Sequence, residues 1–202
     1  MNGRHAGIFA FGLAALAVAS GAAPRAQRSG GTLAATWLDA PLANWNRHGR
    51  GLPKPPAPQG DRPDAPRCGH LVRPATGAED RAVLEAGWTP FGALQVVADV
   101  TLVRAASGVD GMCRPLGYQV FTYVGGQLAG TLSPVPMSAR SDGAAGEIEA
   151  DGGERLRVTF ARYVKDDPLC CPSRHDVVVY RVERGPAGPL VVPVEVLRRA
   201  KP

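Results

Sequence analysis

From Leu94 onward the chain alternates apolar and polar positions in short runs, separated by glycine pairs and by aspartates. LQVVADVTLV is dense in branched residues, which suit a pleated, half-buried surface. YQVFTYV and QLAGTLS follow, parted by Gly125-Gly126, a pair that accepts the positive backbone dihedrals of a tight hairpin turn. GEIEA and ERLRVTFARYV flank Asp151-Gly152-Gly153, a second hairpin signal. Within it, Leu156, Val158 and Phe160 alternate with Arg155, Arg157 and Thr159, as a strand with one buried face requires. DVVVYRVE alternates again. PLVVPVEVL supplies a last strand, whose Pro193 lacks an amide proton and so belongs on a sheet edge. Connections this short join antiparallel neighbours, because parallel pairs need long crossovers.

Ahead of the strands, Thr76-Gly-Ala-Glu79 has capping-box spacing: the Thr hydroxyl and the Glu carboxylate would each accept from a backbone N–H at a helix start. Ala82, Val83, Leu84 and Ala86 continue a short helix that stops at Gly87. The expected fold is α+β, mainly β: a single antiparallel sheet of six or seven strands with one short N-terminal helix, spanning residues 68–198 and braced by disulfides.

The N-terminal third reads differently. Arg4 and His5 precede GIFAFGLAALAVA, thirteen uncharged residues ending among small side chains, the pattern of a secretory signal and short for a membrane span. Residues 1–22 are therefore expected to be a signal peptide, with removal near Ala22 leaving no transmembrane segment; left uncleaved, the same residues would act as an anchor. Residues 23–67 are expected to be a Pro-rich tether, since 24–67 hold eight prolines and little apolar periodicity. Within that segment TWLDAPLANWN brings Trp37, Leu38, Leu42 and Trp45 together. Two tryptophans suit docking onto the domain, or a partner-binding motif, better than a solvated linker.

Loss of residues 1–22 would remove Arg4 and no acid, leaving 22 basic against 18 acidic side chains, or +4. Arginines sit beside acids, as in Glu79-Asp80-Arg81 and Glu183-Arg184, and aromatic residues are few, so neither a phosphate groove nor a base-stacking platform for nucleic acid is indicated. The charge licenses no more than weak attraction to an anionic envelope surface.

The candidate chemistry centres on cysteine. KDDPLCCPSRHD, residues 165–176, sets Cys170 beside Cys171 in a loop between two strands. With Cys68 and Cys113 they make four cysteines in an exported chain, hence two disulfides and three possible pairings. Adjacent Cα atoms lie about 3.8 Å apart, against about 5.5 to 6 Å in unstrained bridges. Crossed pairing of Cys170 and Cys171 with Cys68 and Cys113 is therefore favoured, partners unresolved, over a vicinal bridge with Cys68 to Cys113. Cys68-Gly-His70 and Cys170-Cys171-Pro-Ser-Arg-His175 fit the ligand spacing of zinc loops poorly. Adjacent cysteines also lack the two intervening residues of a redox motif.

Ser173, His175 and Asp176 are too close in sequence to converge as a triad, and apart from them only His48 and His70 remain as candidate bases beyond the signal. Asp142, Glu147, Glu149, Asp151 and Glu154 lack the alternation of a calcium loop, and Glu147 and Glu149 suit the solvent face of a strand. Asp166-Asp167-Pro168 reads as turn chemistry. No catalytic, cofactor-binding or metal residue is assigned, and no cofactor is expected.

GMCRPLGYQVFTYVGGQLAGTLSP, RVTFARYVKDDPLCCPS and the closing PLVVPV together resemble the LppP/LprE group of actinobacterial envelope lipoproteins, over roughly Cys68 to Val196. The resemblance implies an extracytoplasmic, envelope-associated protein with no established activity. No cysteine precedes Cys68, so the lipid-attachment cysteine in that family's name is missing from this sequence. The expected function is a secreted or extracytoplasmic, noncatalytic binding or structural module whose partner is an envelope component: a wall polymer, a lipid or a protein. The alternative is a thiol-redox or metal-dependent factor using the Cys170-Cys171 loop.

Overall fold

The structure, a computed structural model, describes residues 35–48 and 51–200, with side chains to 198. The expected signal peptide lies outside the described residues. Two antiparallel sheets enclose one core. The first is built from β1 (Thr89–Pro90), β2 (Gln95–Val97), β3 (Val100–Val109), β4 (Pro115–Val124) and β5 (Gln127–Thr131). Its order is β1-β3-β4-β5, with β2 also paired to β3. The second runs in sequence order through β6 (Ala145–Ala150), β7 (Arg155–Arg162), β8 (Arg174–Gly185) and β9 (Gly188–Ala200).

Among the described residues, the single sheet expected from the sequence is thus corrected to two, and six or seven strands to nine. Both halves of the chain carry a buried alternating face, and each face needs a cover. Leu102, Val120 and Leu132 from the first half meet Val158, Phe160, Val178 and Tyr180 from the second. The extra strands come partly from LQVVADVTLV, which is a hairpin and not one strand. Val97 pairs with Val100, and the turn between them holds Ala98 at a positive φ of 54°.

The other hairpins form where the glycines predict. Gly125 and Gly126 join β4 to β5 with φ of 56° and 77°, and Gly152 and Gly153 join β6 to β7. Pro193 lies on β9, an edge strand, beside a register shift at Val179/Tyr180.

Helix α1 (Ala78–Glu85) covers the outer face of the first sheet, where Val83 and Trp88 pack on Val103, Ala105, Phe121 and Tyr123. Its N-cap is Gly77, with no side-chain cap bond, so the capping box expected from Thr76 does not form. Glu79 and Asp80 in the first turn favour the helix dipole instead. Asp80 is also the buried partner of Arg73, at 2.6 Å, and the same guanidinium donates to the carbonyls of Phe91 and Gly92. As expected, the helix ends at Gly87, whose φ is 95°.

Residues 35–48 and 51–67 make contacts with the folded domain. Trp37 meets Phe160 edge-on with ring centroids 5.1 Å apart, and Trp45 meets Tyr180 at 6.3 Å. Asp61 forms a bridge to Val109, and the Trp88 indole N–H donates to the Pro53 carbonyl at 2.7 Å.

Both seams between the sheets are stitched by side-chain amides. Asn46, 4% exposed, donates through Nδ2 to the carbonyls of Thr131 on β5 (3.0 Å) and Val191 on β9 (2.8 Å), and accepts from the Thr131 N–H at 2.9 Å. Gly130 is required beside it, because a Cβ there would lie 2.3 Å from the Asn46 amide carbon. At the opposite seam Gln95 of β2 donates to the Ile148 carbonyl of β6 at 3.1 Å.

Candidate binding site

The register of β6 slips between Ala145 and Ile148, and a groove of about 530 Å³ crosses this bulge. Arg104 and Tyr118 line it from the first sheet and His175 from the second, with Phe91 just after β1, Tyr163 just after β7 and Arg140 on the connection between the sheets. Glu147 is the single carboxylate among its described lining residues. Strand register fixes most of these positions: Arg104 pairs with Val120, and His175 with Ala161. Arg104 donates to the Gly146 carbonyl at 3.0 Å, and the Tyr118 hydroxyl donates to the Ala145 carbonyl at 3.1 Å. Burial pushes the Tyr118 phenol up to about 12, against the opposing pull of its carbonyl bond and of the Arg104 charge. The Tyr163 phenol is likewise raised, chiefly by burial, with Arg140 opposing. Arg140 holds a left-handed backbone, φ 58°, and its side chain is exposed.

The groove borders the loop 163–173. Tyr163 donates its hydroxyl to the Leu169 carbonyl at 3.0 Å. One oxygen of Asp167 accepts from the Val164 N–H (2.8 Å), the Ser173 N–H (2.9 Å) and the Ser173 hydroxyl (3.0 Å). Those bonds, led by the Ser173 and Val164 amides, hold the Asp167 carboxyl below its ordinary range. Asp167 is the turn residue that its sequence context predicts.

The cysteine pairing departs from the crossed arrangement. Cys68 joins Cys113, with Cα atoms 5.3 Å apart, and Cys170 joins Cys171. Cys68 and Cys113 sit in a small buried cluster with Val109, backed by Leu71. The bridge from Asp61 to Val109 fastens the chain just before Cys68 to β3. Cys113 is then the near partner, and Cys170 and Cys171 are left to each other at the solvent-exposed tip of their loop.

Ser173, His175 and Asp176 do not converge. Ser173 bonds Asp167, while His175 and Asp176 are successive strand residues on opposite faces. Asp176 belongs to a cluster in which one guanidinium, Arg162, holds three carboxylates: Asp39 at 2.6 Å, Asp142 at 3.1 Å and Asp176 at 2.6 Å. Burial works against that charge, yet the bonds to Asp39 and Asp176 and the charge of Asp142 raise the Arg162 pKa. In return, its bond to Arg162, together with the Thr36 N–H, lowers that of Asp39. Asp39 precedes Trp45, so the cluster clasps the Trp segment to the second sheet.

The acids weighed for calcium are likewise dispersed. Asp142 serves Arg162, Asp151 serves Arg155 and Arg157, Glu154 pairs with Arg184, and Glu147 and Glu149 are exposed. Among the described residues no three His, Cys, Asp or Glu gather as a metal site, and no helix is long and apolar enough to cross a membrane.

Sequence reasoning singled out His175 but missed Phe91, Arg104, Tyr118, Arg140 and Tyr163. They are scattered along the chain, and only the pairing of strands brings them together.

The segment that builds most of this groove is also the one that resembles a known family. Residues 97–185 match the LppP/LprE lipoprotein family. The resemblance in the sequence therefore holds over that segment, which starts at the end of β2 and closes with β8. The matched segment contains Cys113 and the Cys170-Cys171 loop, whereas Cys68, helix α1 and β9 lie outside it. Neither a curated protein nor a solved structure matches the chain.

Proposed function

We propose that the protein is an exported, envelope-associated, noncatalytic binding module that uses the groove across β6. The observation that carries this reading is the gathering of Arg104, Arg140, Tyr163 and His175 around one groove, with Arg104 and His175 on strands, Arg140 in a turn and Tyr163 just after β7 with its hydroxyl bonded to the Leu169 carbonyl. Such positions hold side chains in place for recognition before a ligand arrives. Membership of the matched segment in a lipoprotein family supports the envelope as the place of action.

The test is saturable co-sedimentation of the full, oxidised chain with isolated cell envelopes. Tyr163→Ala should reduce the bound fraction by about tenfold, the worth of one good contact at about 1.4 kcal/mol. Binding that does not saturate, or that ignores Tyr163, overturns the reading.

A thiol-redox role has one observation in its favour, the solvent exposure of Cys170 and Cys171. It requires exchange with glutathione at physiological potential. Resistance of both bonds to that exchange rejects it.

A further inference from the structure

The groove has a chemical bias. Two guanidiniums, Arg104 and Arg140, and the His175 imidazole line it, against the single carboxylate among its described lining residues, that of Glu147. Arg104 is committed by one bond, to the Gly146 carbonyl at 3.0 Å, which leaves further donors of its planar fork. Among the described residues Arg140 has no ion-pair or hydrogen-bond partner, and it is exposed. It also occupies a backbone region that costs a branched or long side chain free energy and suits glycine better.

A strained, unpaired arginine at the rim of a groove contributes little to folding. Its position does suit an arriving anion, which guanidinium grips in a planar, two-pronged manner. The rest of the lining suits a ring. Phe91 and Tyr163 are half-buried aromatic side chains, and Tyr118 lies beside Phe91 with ring centroids 6.0 Å apart. About 530 Å³ falls in the range of small-ligand sites.

Resting on the binding-module reading, we infer that the groove takes an anionic saccharide: a sugar whose carboxylate or phosphate meets Arg140 and Arg104 while its ring lies against Phe91 and Tyr163.

Titration calorimetry on the full, oxidised chain tests this with four probes. They are a glucuronate-containing oligosaccharide, mannose 6-phosphate, a neutral oligosaccharide of matched length, and inorganic phosphate. Binding of one or both charged sugars is expected, and which one binds tells carboxylate from phosphate. The neutral sugar and phosphate alone should bind at least about tenfold more weakly. Arg140→Gly should weaken the charged sugar by about tenfold or more while leaving Tm equal or higher, because glycine relieves the backbone. A merely structural Arg140 would lower Tm instead. Arg181→Ala, an exposed site paired with Glu183, should change neither.

Equal affinity for the neutral sugar, or indifference to Arg140→Gly, overturns the inference. If envelopes are bound but none of the charged sugars is, this inference fails and the binding-module reading stands. If neither envelopes nor sugars are bound, both fail.

Discussion

Cys68 and Cys113 are buried partners 45 positions apart, whereas Cys170 and Cys171 are exposed neighbours. The first bond closes a long loop of chain and so removes many unfolded conformations, an effect of about 4 kcal/mol in the chain-entropy account. The second closes only the peptide unit it spans and constrains the unfolded chain hardly at all. Each loop nonetheless has a defined shape. Around Cys113 the sulfur bond shares the task with a small apolar cluster. Around Cys170 the shape is held by the three bonds to Asp167 and by the Tyr163 hydroxyl. A disulfide's contribution is therefore read from the chain it encloses and the burial it joins.

The largest effect that would sharpen this contrast is the loss of the long-range bond. Cys68→Ser with Cys113→Ser should cost about 4 kcal/mol in urea unfolding at pH 7. A smaller loss than that of the vicinal double variant would break the comparison.

Next comes the clasp that fixes the Trp segment without sulfur. Arg162→Met leaves three carboxylates without their cation, two of them largely buried. It should cost about 2 to 3 kcal/mol, lowered from the value for a fully buried pair by the exposure of Asp39. The same clasp should respond to acid. The Asp39 pKa is lowered by folding, so its contribution is complete above the ordinary carboxylate value of about 3.9. It is lost as pH falls through the depressed value. Tryptophan fluorescence should report release of Trp37 and Trp45 in that window, and Asp39→Asn should abolish the step.

Smaller still is Asp167→Ala. It should speed protease cleavage within 163–173 several-fold with little change in Tm, because the bonds it removes are local to the loop. Opening the vicinal bond with Cys170→Ser and Cys171→Ser should come last, shifting stability by less than about 0.5 kcal/mol. If it instead speeds cleavage as much as Asp167→Ala, the sulfur bond and not the carboxylate holds the loop.

Much of the fold was legible because its signals are local. Gly125-Gly126 and Asp151-Gly152-Gly153 mark hairpins by backbone conformation alone, and Leu156, Val158 and Phe160 declare a buried face. The division into two sheets was not legible, since a strand's alternation says that one side is covered and not by what. Ala98 hid a turn because alanine carries no turn signature, and Thr76 offered a side-chain cap although the N-cap position falls on Gly77, which has no side chain to cap with. The disulfide pairing turned on the contact between Asp61 and Val109, which no spacing reveals. The groove was hidden for the same reason: Arg104 and His175 become neighbours only through strand pairing, and Arg140 joins them from the connection between the sheets.

The amide of Asn46 has a consequence for how this protein can be divided. A fragment starting at Cys68 would keep every residue of the family-matched segment, yet it would leave the backbones of β5 and β9 without the side chain that occupies them and without the indole cover of Trp37 and Trp45. Bare strand borders recruit other strands. Such a fragment should self-associate, and returning the peptide 35–48 in trans should dissolve the aggregates. Residues 35–48, which composition marks as part of a linker, are thus expected to act as the cover that keeps these borders from other strands.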